Sequence, residues 1–552
     1  MTRDIEFSKK LEYNVEIYYD DQGVLGEGRL SFGGGGLILI SLGFGSRFEL
    51  TKKDASILKA KTKEGQRFTL IKCVIENGYL YADFIVLGDI ESEIKYFEIK
   101  YGDISDWFLR GRYVSGTVGE SIEWKNPIPQ LSVCVKTADE NFSLKTDTFS
   151  SLKKSGEDYI IHEHTRFVFE RDCGFSVFEL KEKSFELSSL LSVLTANPIS
   201  IANVWIGFDA MRSPLPIYFS AFKEVDREAS SGDFWLSCLA QRESLDEKWQ
   251  LVFDRYYASV FRKTSWVRLA GMQRYEGFWE FKILGYVSLL DEYVSSYSAL
   301  YCQAAPSSEN KKVEKFVRRV KCIKPSLDEG QVESLSVLAE SIFRVSRELT
   351  FREKYDYVIG LTDKNALAVV NLTDDDFSLI KKIRDKVAHG NTPDLKGSSY
   401  QEIHCIVEKI ALLMIYWAHI DLGFSTSDFL ASLRYTHNRL SFNPRINKVH
   451  LDRVTGSAEF ISVSEAVFRR FDCGDGPIVN ACFTQNCNGE LAFSEEYKAV
   501  YDAWIGGRNR EHKQIFDAFG VSLERFRFVG TLYLEFGEKV KELHAVYIIK
   551  DV

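Results

Sequence analysis

The chain has 552 residues, of which 45% are hydrophobic and 27% charged, with a formal net charge of −9. That length is too great for one hydrophobic core, and about three domains are expected. The negative balance argues against a protein coated in nucleic acid, yet leaves room for a local basic groove. The opening Met1-Thr2-Arg3-Asp4-Ile5-Glu6 is too charged for a secretory signal. The longest apolar run, Ile410 to Ile420, stops at eleven residues behind Glu408 and Lys409, so no membrane partner is expected. Ten cysteines lie scattered without framework spacing, as in a reducing cytoplasm. Cys473, Cys482 and Cys487 lack the paired short spacings of a zinc site. No metal and no cofactor are expected.

Residues 1–225 read as β-rich. Leu37 to Leu42, Phe68 to Ile75 and Tyr79 to Leu87 are strand-like, and Asn77-Gly78 between the last two is a two-residue hairpin signal. Gly33 to Gly36 is followed by a strand and by no Lys-Ser/Thr, so it reads as a turn and not a phosphate loop. His162-Glu163-His164 puts two histidines on one strand face, expected to be solvent-exposed and not metal-binding.

The composition then turns helical. Residues 226–264 form a helical connection. Glu280 to Tyr297 carries Phe281, Leu284, Val287, Leu290 and Val294 at helical spacing, with Glu292 expected in a structural salt bridge. Asn310 to Lys324 holds Lys311, Lys312, Lys315, Arg318, Arg319, Lys321 and Lys324 against Glu314 alone. Such a run either tracks a phosphate backbone or is a solvated helix face. Gln331 to Leu349 shows a bundle stripe of Val332, Leu335, Leu338, Ile342, Val345 and Leu349.

The most informative stretch is Ile383 to Asn391. It closes an amphipathic helix that starts near Asp374 and carries Phe377, Ile380, Ile383 and Val387. Gly390 is placed as a C-terminal cap, which leaves His389 in the last turn. Asp385 shares a face with His389 and is expected to orient its ring. Arg384 lies five residues before His389, about 140° away on an ideal helix, so one straight helix does not aim both at one atom. Two such helices facing each other across a dimer axis could. Lys381, Lys382 and Lys386 add charge beside Arg384. Tyr400 to Gly423 closes the region, apolar nearly all round in Ile410 to Ile420. A helix of that kind is buried on more than one side, in its own bundle and against a second subunit.

This arrangement resembles the HEPN family, whose ribonucleases carry Arg, a polar residue, then His at four-to-six-residue separation; Arg384, Asp385 and His389 match that pattern. More closely it resembles the Apea-like HEPN proteins, bacterial abortive-infection factors against phage. The likeness runs from about Arg268 to Leu440. A looser likeness to their amino-terminal domain rests on Gly28-Arg29-Leu30, the glycine-rich turn, the apolar strand after it, and Ile104-Ser105-Asp106-Trp107-Phe108.

The fold class expected is α+β multidomain: a β-rich domain at 1–225, the connection, an all-α HEPN bundle at 265–440 and a mixed α/β extension at 441–552. In the extension, Val479 to Phe483 and Thr531 to Phe536 look like strands and Glu496 to Trp504 like a helix. Arg508-Asn509-Arg510-Glu511-His512 imitates the motif with one residue too few.

The resemblance implies a metal-independent endoribonuclease of anti-phage defence, acting on host or phage RNA, with tRNA a candidate. Arg384, Asp385 and His389 would be catalytic. Lys381, Lys382, Lys386, Lys311, Lys312, Lys315, Arg318 and Arg319 would bind RNA. The protein would pair with itself as a homodimer or larger even assembly and answer to a phage-derived trigger. The alternatives are a non-catalytic HEPN module that binds RNA or a protein, and a HEPN toxin of a toxin–antitoxin pair.

Overall fold

A computed structural model describes the chain except residues 1–3, 20–23, 44–56, 91, 118–121, 209–212, 223–233, 302–310, 324–326, 344–348, 390–398, 472–477, 508–513 and 552. Two compact units emerge: Met1–Asp363 with Leu372–Arg445, and Lys364–Asn371 with Ile446–Val552.

The first unit begins with strands β1 (Leu11–Tyr18), β2 (Val24–Phe32), β3 (Ile38–Leu42), β4 (Ile57–Thr62), β5 (Arg67–Glu76), β6 (Tyr79–Leu87) and β7 (Ile94–Tyr101). Helix α1 (Ile104–Phe108) and the hairpin β8 (Tyr113–Gly116) and β9 (Ile122–Lys125) follow, then β10 (Ser132–Lys136), β11 (Asn141–Ser155), β12 (Asp158–Phe175), helix α2 (Val177–Thr195), β13 (Ile201–Gly207) and β14 (Leu215–Phe219). Among the described residues twelve strands form one sheet, in the order β10-β11-β12-β7-β13-β14-β6-β3-β2-β1-β4-β5. β5 returns to pair with β6, so six strands close into a barrel and the other six extend from it. β6 makes this branch possible because Tyr79 to Ala82 pair with β3 while Phe84 to Val86 pair with β14.

The barrel follows from period-two patterning. Leu30 and Phe32 on β2, Ile38 and Ile40 on β3, and Leu58 and Ala60 on β4 are buried, while their neighbours face outward. Asn77 and Gly78 both adopt positive φ, the backbone that a tight hairpin between β5 and β6 demands. The glycine run is a turn, as expected: Gly33 has φ +94°, and a Cβ there would overlap the Lys9 carbonyl. α2 is an element that the β-rich reading lacks. Ser176 and Glu179 form a capping box at its start, and its buried residues lie over β7 and β13.

The helical part holds α3 (Trp249–Ala258), a π-helical turn (Arg262–Trp266), α4 (Val267–Gln273), α5 (Trp279–Tyr301), α6 (Lys311–Ile323), α7 (Glu329–Phe343), α8 (Phe351–Leu361), α9 (Lys364–Val370, in the second unit), α10 (Asp374–Ala388), α11 (Tyr400–Asp421), α12 (Thr426–Tyr435) and α13 (Arg439–Phe442). α5 packs against α8, α10 and α11. α11 is buried within its own chain, against α5, α10, α12 and α13 and also against α2 and α4. Its all-round apolarity is therefore covered by its helical neighbours together with α2 of the N-terminal domain, and no second subunit is needed to cover it. The stripe expected on α7 is only partly a core: Ala339 is buried, Val332 and Leu335 half-buried, and Leu338 exposed. α6 and α7 pack chiefly on each other. Leu349 lies beyond α7, and Val345 lies outside the described residues.

Where the sheet domain meets the helices, four charges are buried together. Lys183 Nζ reaches Glu140 at 2.5 Å and Glu186 at 2.7 Å. Arg262 Nη1, at the head of the π-helical turn, lies 3.6 Å from Glu140 and 3.3 Å from Glu186. Two cations meet two carboxylates, which is what allows them to leave water.

The second unit adds α14 (Lys448–Thr455), β15 (Glu459–Ser462), α15 (Glu465–Phe471), β16 (Ile478–Val479), β17 (Cys482–Gln485), β18 (Leu491–Phe493), α16 (Glu495–Ile505), α17 (Ile515–Ala518), β19 (Phe526–Phe536) and β20 (Lys539–Lys550). The strands run β15-β19-β20-β17-β18, with β16 also on β20, over a core that includes Phe483, Leu532, Leu534 and Ile548. The expected strands and helix fall in β16, β17, β19 and α16. Arg508 to His512 lie outside the described residues, as does Cys473; Cys482 is buried and Cys487 exposed.

Candidate active site

α10 is fixed at both ends. Thr373 accepts from Asp376 N at 3.1 Å, and the Asp376 carboxylate accepts from Thr373 N at 3.1 Å. The same carboxylate takes Lys409 of α11 at 2.9 Å, and Asp374 takes Arg352 of α8 at 2.6 Å. Phe377, Ile380 and Ile383 are buried, with Phe377 stacked on Tyr355 of α8 at 4.2 Å. Burial of each such side chain contributes about 1.5–3 kcal/mol. Ile380→Asp would undo this seat.

Arg384 leaves the same flank as Phe377, two turns farther along the helix. Its Nη2 donates to Asp291 Oδ2 on α5 at 2.8 Å and its Nη1 to Asp385 Oδ1 at 2.8 Å. Its guanidinium also stands over the Phe351 ring at 6.0 Å. Asp291 in turn accepts from Ser295 Oγ at 3.4 Å, and Ser295 accepts from Lys354 Nζ at 3.1 Å. The guanidinium is thus held by two carboxylates from two helices but remains only half-buried.

His389 is the C-terminal cap residue of α10; its N–H closes on the Asp385 and Lys386 carbonyls. Its side chain is exposed. Two expectations are corrected here. Asp385 holds Arg384, and among the described residues no hydrogen bond joins it to His389. Arg384 sits one residue away, where a short carboxylate reaches it across the helix surface. Glu292 makes no described salt bridge either; it accepts from Ser265 at 2.6 Å and Ser296 at 3.1 Å, and its neighbour Asp291 is the acid that meets α10. Gly390 lies outside the described residues.

A model of the ApeA N-terminal domain 1 matches residues 12–256, and one of the Apea-like HEPN domain matches residues 284–428. The chain belongs to the Apea-like HEPN proteins. No curated protein and no solved structure matches it. Its helical region thus contains a HEPN domain, and α10, the motif and all but the first residues of α5 fall within the matched span.

Within this HEPN domain Lys381, Lys382 and Lys386 are at least partly exposed and make no described ion pair. On α6, Lys315, Arg318, Arg319 and Lys321 are exposed; the side chains of Lys311 and Lys312, and Lys324 altogether, lie outside the described residues. No described contact brings the α6 cations to Arg384. The residues that sequence reasoning missed are Asp291, Ser295 and Lys354. The available signal was that Asp291 flanks the buried stripe Val287, Leu290 and Val294 on α5, which places it at the rim of a packed face.

The two histidines of β12 part company. His162 is exposed, whereas His164 is half-buried in a polar cavity of about 430 Å³ with Lys100, Arg166, Asp4 and Trp205. Burial, and then the facing Lys100 and Arg166, lower its pKa to about 4. His404 is partly exposed 3.7 Å from Glu408, and His419 is fully buried on Val193.

Proposed function

We propose that this protein is a metal-independent endoribonuclease that cleaves host or phage RNA during abortive infection. The observation that carries the reading is Arg384: a half-buried guanidinium, aimed by Asp291 and Asp385, five residues before an exposed His389 at the end of α10. An Arg fork matches two phosphate oxygens and stays charged throughout. Imidazole is the side chain suited to moving protons near neutrality.

In this mechanism one His389 takes the proton from the ribose 2′-OH, and the 2′-oxygen attacks the adjacent phosphorus. The bond from phosphorus to the 5′-oxygen breaks, and a second imidazole gives that oxygen its proton. The products are a 2′,3′-cyclic phosphate and a 5′-OH. Arg384 neutralises the charge that builds on the phosphate. Five residues of helix separate Arg384 and His389 by about 7.5 Å along the axis and about 140° around it. A homodimer that sets two α10 C-termini face to face would supply two of each group in one cleft. Because α11 is buried within its own chain, the case for that dimer rests on the angle between Arg384 and His389. Lys381, Lys382 and Lys386 would hold neighbouring phosphates, with the α6 cations farther along the strand. A tRNA is a candidate substrate, and a phage product a candidate trigger.

The test is cleavage of a defined RNA by purified protein in excess EDTA. Cleavage is expected to persist, to leave cyclic phosphate ends and to fail where the scissile ribose is 2′-deoxy. EDTA-sensitive cutting that leaves 5′-phosphate would overturn the mechanism.

A further inference from the structure

Lys354 is a cation that the motif does not contain and that three separate contacts bring to it. Its ammonium donates to Ser295 Oγ at 3.1 Å, and Ser295 Oγ donates to Asp291 Oδ1 at 3.4 Å. The other oxygen of the same carboxylate, Oδ2, holds Arg384. Lys354 also lies three residues after Phe351, on the same face of α8, and Phe351 is the ring beneath the Arg384 guanidinium. α8 therefore presents Lys354 on the Arg384 side of α5.

What distinguishes Lys354 from its neighbour Arg352 is its charge balance. Arg352, in the same turn of α8, is gripped by Asp356 at 2.8 Å and Asp374 at 2.6 Å. Lys354 makes no ion pair among the described residues; its described bond is to a neutral hydroxyl. It is half-buried, so its charge is less screened than one on open surface. A half-buried ammonium without a carboxylate, beside a guanidinium that has two, marks the place where an anion completes the balance.

We propose that Lys354 is a second phosphate-binding cation of this site, which takes the RNA backbone phosphate next to the one bound by Arg384. Asp291 then acts as the shared anchor: Oδ2 aims Arg384 directly, and Oδ1 aims Lys354 through Ser295. The inference rests on the ribonuclease reading above and adds to it a specific contact that the motif does not encode.

The test uses the full chain carrying His389→Ala, so that RNA binds without being cut. Affinity for a single-stranded RNA oligonucleotide is measured against salt with Lys354 intact, as Lys354→Gln and as Lys354→Arg. Lys95→Gln, on the N-terminal sheet, controls for net charge. Loss of one phosphate contact lowers the log–log salt slope by about 0.7 for a single strand, and loss of a charge-assisted bond weakens binding about tenfold at low salt. Lys354→Gln is expected to show both, Lys354→Arg and Lys95→Gln neither. A Lys354→Gln protein that binds with the parent's affinity and slope overturns the role of Lys354 and leaves the ribonuclease reading intact. So does an arginine variant that fails to restore the slope, because the guanidinium can supply the same contact. A parent protein that binds no RNA at all removes both readings.

Discussion

Two arginines in the first unit are each gripped by two carboxylates, and their surroundings make them opposites. Arg262 sits between Glu140 and Glu186 with its side chain 8% exposed, and the ring of Tyr257 lies 4.5 Å away. Arg384 sits between Asp291 and Asp385 with its side chain 24% exposed. The first cluster also contains Lys183, so its charges cancel, and the rings of Phe142 and Tyr257 lie over that ammonium. The second has a side open to water, and in the proposed mechanism Arg384 meets phosphate there while its carboxylates hold it. The same pair of contacts is a fastener in one place and a holder in the other. Burial decides which, because an ion pair must be complete where water cannot complete it.

Truncating each arginine should therefore have crossed effects. Arg384→Ala is expected to lower RNA cleavage by about 100- to 1,000-fold or more and to change stability by no more than about 1 kcal/mol. Arg262→Ala should destabilise the protein by about 3–5 kcal/mol, because Glu140 and Glu186 keep one cation for two buried charges. Cleavage assays paired with denaturant melts of both variants check this. Equal stability losses in the two would erase the distinction.

A finer cut lies within the holder itself. Asp291 comes from another helix and also carries Ser295, whereas Asp385 is the sequence neighbour of Arg384 and 46% exposed. Asp291→Asn should reduce cleavage about tenfold and Asp385→Asn about threefold, within the range of single charge-assisted bonds discounted for exposure. The reverse order, read from initial rates, would return to Asp385 the leading role that its place in the motif suggests.

That reversal of rank shows what the sequence could and could not convey. Local signals were legible. Thr373 and Asp376 announce the start of α10, Asn77-Gly78 announces a hairpin, and alternating residues announce the barrel strands, because each depends on chemistry within a few positions. Arg384 and His389 were legible for the same reason. Asp291 was not, since its role depends on which face of α5 meets α10, and adjacent Glu292 has the same charge. α2 was missed although Ser176 and Glu179 cap it, because Ser184, Ser188, Ser189 and Ser192 blur its apolar stripe; the hydroxyls are satisfied by carbonyls and so can be buried. The apolar run of α11 correctly signalled burial on several sides. It carried no information on whose surface does the burying, which is shared between its own bundle and α2 of the N-terminal domain.

A last test concerns an uncharged contact of the same helix α2. His419 of α11 is buried against the N-terminal domain, with Nε2 3.2 Å from the Val193 carbonyl of α2 and the rings of Phe424 and Phe429 at 5.0 and 5.4 Å. Burial lowers its pKa to about 4, against an opposing pull from the Val193 carbonyl. Unlike Arg262 it has no described carboxylate beside it, so the fold keeps it neutral. The unfolded chain takes up that proton near the ordinary histidine value of about 6.5. Between those two values the unfolded state binds more protons than the folded one, so stability falls as pH drops from about 6.5 to about 4 and is indifferent to this group above about 6.5. His419→Gln keeps a donor for Val193 and removes the titration. Melting midpoints of the two proteins should therefore hold a constant offset at neutral and alkaline pH and converge on acidification, the wild type losing stability faster. Parallel curves across that window would mean that His419 gains a proton inside the fold, and that this junction admits charge without a partner.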